Sequence, residues 1–166
     1  MSPLTLLALQ ITSSFVVLGL FAGLVVAPRL LTLFRERALL PLLWVHAPRY
    51  VPLALLAPGQ TDASVPLSVV QTIAWGDFTC AVFAVAALIA LYRQRERALG
   101  WVWAFSLVSS IDIVVALTTG LMTAIQDHSL GVAWYVLTLY VPAVCISQAM
   151  ILRVLLRRSP VPGPAL

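Results

Sequence analysis

Lysine is missing altogether, so all ten basic residues are arginine. Charge of either sign is scarce: 10% of the 166 residues carry one, against roughly 25% in an ordinary soluble domain. That deficit excludes a water-soluble fold. Two cysteines are too few for a disulfide scaffold, and a hydrophobic share of 61% excludes disorder and collagen-like repeats. No Cys-x-x-Cys, His-Glu-x-x-His, Gly-rich phosphate loop or nucleophile elbow occurs. No catalytic residue or metal-ligand set is therefore assigned. Cys80 and Cys145 lie within apolar runs and read as packing residues rather than a redox pair.

What remains is a set of long apolar runs with a mean hydropathy of +1.02. A membrane-crossing helix needs roughly 20 such residues. The pattern predicts an all-α integral membrane bundle of five spans, over residues 4–34, 38–57, 66–92, 99–125 and 130–156. Together they form one transmembrane domain over residues 1–158, followed by a flexible Pro-rich tail, 159–166. The second stretch contains Pro41, Pro48 and Pro52 and is expected to be kinked. The arginines decide that it spans. Arg29, Arg35 and Arg37, then Arg93, Arg95 and Arg97, then Arg153, Arg157 and Arg158 all fall on one side only with five spans. The positive-inside rule makes that side cytoplasmic and places the N-terminus outside. Tyr92, Trp101 and Trp103 then mark the inner interface, and Trp134 and Tyr135 the outer one. The chain start lacks a basic n-region and a cleavage site, and reads as an uncleaved first span. The expected location is a bacterial cytoplasmic membrane. The arginine clusters read as topology signals that contact lipid headgroups, not as a nucleic-acid surface.

Arg35-Glu-Arg-Ala-Leu39 recurs as Arg95-Glu-Arg-Ala-Leu99 at the same place in successive helical hairpins. Duplication would produce this, although the flanking spans do not match.

Three formal charges remain inside spans: Arg49, Asp77 and Asp112, with His46 as the intramembrane histidine. Each charge at mid-bilayer costs about 2.5–3.5 kcal/mol on a lenient scale, so they should face inward and meet. At ~1.5 Å per residue from the outer span ends, His46 and Asp77 lie ~16 Å deep, Asp112 ~18 Å and Arg49 ~12 Å. His46 and Arg49 are three residues apart and share a face. Ser109, Asp112, Ala116 and Thr119 form a small, polar stripe on the fourth span, and Gly76 beside Asp77 permits close backbone approach. Gln71 and Ser109 are the expected supporting polar residues. Pro48 and Pro52 should free the carbonyls of Trp44 and Pro48, which Arg49 is placed to satisfy together with a carboxylate. One arginine cannot neutralise two aspartates. Either one aspartate carries a proton, or His46 is cationic, or a bound cation or ligand completes the balance. No cofactor is called for. A haem on His46 lacks a second histidine at its depth, since His128 sits at the outer boundary.

The run Val45-His46-Ala47-Pro48-Arg49-Tyr50, followed by Trp75-Gly76-Asp77, resembles small bacterial multi-pass membrane proteins with a His-Ala-x-Arg segment and a Gly-Asp pair. The likeness spans Leu39 to Leu91 and implies a membrane fold but no activity. Pro48 stands where those proteins more often carry an aromatic residue or Thr. Size and span count also resemble the porphyrin-binding tryptophan-rich sensory proteins, whose tryptophan and proline motifs are missing here.

These residues point to a ligand- or proton-binding site of His46, Arg49, Asp77 and Asp112, coupled to transport or sensing. Arg49 would hold an anionic or carbonyl group, the aspartates would exchange protons, and His46 would relay them. Two other readings are an accessory subunit of a larger membrane complex or a homo-oligomer, and an embedded enzyme acting on a lipid or quinone.

Overall fold

The computed structural model describes residues 2–124, 128, 131 and 133–157. The expected tail 159–166, Arg158, Asp127 and most of the loop before the last helix lie outside the described residues. Every regular element described is helical. Five helices are long and apolar enough to cross a membrane: α1 (Pro3–Leu31), α2 (Arg35–Leu56), α3 (Leu67–Tyr92), α4 (Ala98–Met122) and α5 (Ala133–Leu156).

The first span ends early, at Leu31 rather than residue 34, with the Thr32 hydroxyl donating to the Arg29 carbonyl at 2.8 Å. The extended backbone of Phe34 then starts α2 at Arg35. The repeated pentapeptide is not equivalent in its two settings. Its first copy opens α2, whereas α4 begins only at Ala98, the fourth residue of the second copy.

Prolines account for the departures from regular α-helix. Pro28 and Pro142 each follow a π-helical turn, Ala22–Val26 and Val136–Tyr140. A proline ring collides with the carbonyl four residues back. Widening the preceding turn relieves that crowding, and the N–H groups of Ala27 and Val141 reach the carbonyls of Ala22 and Val136, five residues back. In α2 the response is the opposite, a tightening: from Ala47 to Leu56, around Pro48 and Pro52, the chain is 3-10 helix.

Small side chains let the apolar helices approach one another closely. On α3, Ala74, Cys80, Ala81, Ala84, Ala87 and Ala90 are all buried, and both α4 and the 3-10 half of α2 pack along it. α5 closes the bundle against α2, and α1 lies outermost against α5. Toward the arginine-rich end the interior is wholly apolar, built from Leu39, Leu43, Ala87, Val102, Phe105 and Ile151 among others. Arg35 Nη2 donates to the Arg157 carbonyl, and Arg157 Nη1 to the Leu31 carbonyl at 2.8 Å. These bonds tie three helix ends together through carbonyls that have no partner within their helices.

Candidate functional site

The 3-10 geometry of α2 places residues three apart in one row. His46, Arg49 and Pro52 occupy that row, and all three are buried. Arg49 therefore points into the bundle, toward α3 and α4. Its Nε donates to Asp77 Oδ1 at 2.7 Å, its Nη1 to Ser109 Oγ at 2.8 Å, and its Nη2 to Asp112 Oδ2. Ser109 and Asp112 sit one turn apart on α4, which is why one guanidinium fork can engage both. Gly76 makes the arrangement possible. A Cβ there would collide with Asp112 Oδ1 and lie 3.2 Å from its Cγ.

Arg49, Asp77, Ser109 and Asp112 thus come together. Three corrections concern what surrounds them. Gln71 is exposed on the outer side of α3, because the helical period puts Gln71 and Trp75 opposite the buried Val70, Ala74 and Cys80. Arg49 donates to no backbone carbonyl among the described residues: the three bonds from its nitrogens all go to side-chain oxygens. The Ala47 N–H goes to the Leu43 carbonyl and Pro48 has none to offer, so the Trp44 carbonyl loses its helical donor as expected, while Tyr140 of α5 donates its hydroxyl to the neighbouring Val45 carbonyl at 3.1 Å. His46 is fully buried one turn from Arg49 but does not join the ion cluster by a hydrogen bond. Its ring meets Phe105 edge-on at 4.9 Å, and neither ring nitrogen has a partner among the described residues.

The cluster has a solvent-sized neighbour. A cavity of about 100 Å³ lies on the side away from the arginine-rich end, with Arg49, Asp77 and Tyr140 as its polar lining and Pro52, Ala116 and Gly120 among its apolar walls. One water needs roughly 10–15 Å³ on this scale, so several fit. The side chain of Asp77 is 16% exposed, against 10% for Asp112 and 3% for Arg49, so Asp77 is the most open of the three and borders the cavity.

A second polar layer lies inward of the first. Gln148 Nε2 sits 3.0 Å from the Ser106 carbonyl, 2.8 Å from Ser106 Oγ and 3.0 Å from Ser110 Oγ. Because a carbonyl only accepts, the amide nitrogen must be the atom facing Ser106, and Gln148 Oε1 is left buried without a partner among the described residues. Ser147 donates to the Leu42 carbonyl at 3.0 Å. Tyr140 and Gln148 carry no formal charge and so escape a search for intramembrane charges. The signal available for Gln148 was an amide inside an apolar helix.

Cys80 and Cys145 are both free thiols. Among the described residues no three His, Cys, Asp or Glu side chains gather as a metal-ligand set.

No curated protein and no solved structure matches the chain. Residues 6–156 match the model of a family described as a domain of unknown function, DUF8737, and the chain belongs to that family.

Proposed function

We propose that this DUF8737 member spans a bacterial cytoplasmic membrane five times and binds a proton at the Arg49–Asp77–Asp112 cluster, coupling it to transport or sensing. The observation that carries the reading is the charge count. Two carboxylates share one guanidinium in a buried site, which leaves one negative charge that burial makes costly. A proton removes it, as would a small cation. Asp77 is the entry point, since it borders the cavity. Eight described arginines at one end support a cytoplasmic face there, with the N-terminus and the cavity toward the outside. Pro48 and Pro52 kink α2 at the level of the cluster.

Infrared difference spectra of the full chain in lipid test this. A carboxylic-acid C=O band should titrate across the neutral range and disappear in Asp77→Asn or Asp112→Asn. Both variants retaining the parent spectrum would remove the proton from the site.

The competing reading is structural. The same three hydrogen bonds join α2, α3 and α4 and fix their register. It predicts stability losses with no titrating band, and, for an accessory subunit, a stoichiometric partner in mild detergent. An embedded enzyme would show lipid or quinone turnover that the same Asn variants abolish while folded.

A further inference from the structure

His46 has both ring nitrogens buried and unpartnered, and Gln148 has its carbonyl oxygen in the same condition. Both side chains border one stretch of α4. His46 stacks on Phe105, Gln148 binds Ser106 and Ser110, and Ser109 between them accepts from Arg49. On α2, Leu42 lies one turn from His46, and Ser147, the neighbour of Gln148, donates to its carbonyl. Thus α2, α4 and α5 each bring hydrogen-bonding groups to the same short level of the bundle. A neutral imidazole needs one donor and one acceptor. A water molecule offers both, and buried water typically collects where two to four polar groups would otherwise go unmet.

We propose that His46, Gln148 and the α4 serines enclose an internal water site one layer inward of the ion cluster. The bound water joins His46 to Gln148 Oε1 and reaches the cluster through the Ser109 hydroxyl. Beyond this layer the apolar core of Leu39, Leu43, Val102 and Ile151 closes the interior, so the water has no outlet toward the arginine-rich end. The inference deepens the proton-site reading by giving the carboxylate pair a hydrogen-bonded neighbour on its sealed side, and it rests on that reading only for its role in proton uptake.

The chain has two histidines, which makes the test selective. The probe is water itself, by water-edited solid-state NMR of the full chain in lipid, labelled with ¹⁵N-histidine. His128→Gln removes the other histidine signal, which arises from a ring bonded to Ser64 at the far end of the bundle. The expected result is polarisation transfer from water to the His46 ring nitrogens, lost in Gln148→Leu and retained in Asp77→Asn. Absence of transfer in the parent protein, with ring shifts of an unbonded imidazole, overturns the proposal whatever the variants do. So does unchanged transfer in Gln148→Leu. The infrared carboxyl band, recorded on the same samples, reports the proton site separately. A missing band with intact water transfer defeats the proton reading and leaves the water site standing.

Discussion

Replacing Arg49 with methionine keeps most of the side-chain volume and deletes the only positive charge in the cluster. Asp77 and Asp112 would then be buried beside each other with nothing to balance them, and Ser109 would lose its donor. Removing one partner of a buried ion pair costs about 3–5 kcal/mol. A second route gives a similar figure. If the cluster already holds one proton, the variant escapes by taking up one more, and from a reference pKa of about 3.9 that uptake costs about 4 kcal/mol at pH 7. The loss should therefore be about 4 kcal/mol at pH 7. It should shrink by about 1.4 kcal/mol for each unit the pH is lowered, because the folded variant then holds a proton that its unfolded chain does not. The assay is reversible unfolding in mixed micelles, followed by the fluorescence of the five tryptophans. Arg49→Met/Asp77→Asn/Asp112→Asn removes all three charges and should recover most of the loss. An Arg49→Met penalty below about 1 kcal/mol, the range of an exposed pair, would falsify the claim that the carboxylates depend on this guanidinium.

Other outcomes follow from the same geometry. Gly76→Ala should weaken the cluster and lower stability, whereas Gly100→Ala, whose added methyl meets nothing, should be neutral or stabilising by up to about 1 kcal/mol; comparative unfolding of the two separates contact from propensity. Tyr140→Phe leaves the Val45 carbonyl without its donor and should cost about 1–3 kcal/mol, read in the same assay. Gln71→Ala should change neither stability nor the infrared band, since Gln71 stands on the exposed side of α3.

The fold was readable to the extent that charge and hydropathy are local. Arginine placement demanded a fifth span, and α2 is one of the five helices long and apolar enough to cross. Asp112 and Ser109 were readable because helical spacing puts them on one face. Gln71 was misread for a related reason: period alone says which residues share a face, not which face turns inward. Here Gln71 and Trp75 share the outer one. The 3-10 tightening of α2 was not legible, because two prolines four residues apart permit both a tightened and an α-helical backbone. The cavity and the Gln148 layer arise from contacts among four helices, which no one-dimensional pattern encodes.

The apolar core beneath the polar layers has an electrical consequence. If the arginine-rich end faces the cytoplasm and water in the cavity connects to the outside, the cluster is near outside potential, and the voltage falls mainly across the packed half. A proton that stops at the cluster would then cross only a part of the field. With half of it, each 100 mV contributes about 1.2 kcal/mol to occupancy, roughly a sevenfold change. Such a site would respond to the energised state of the membrane as well as to pH, and its titration midpoint would move with the applied potential.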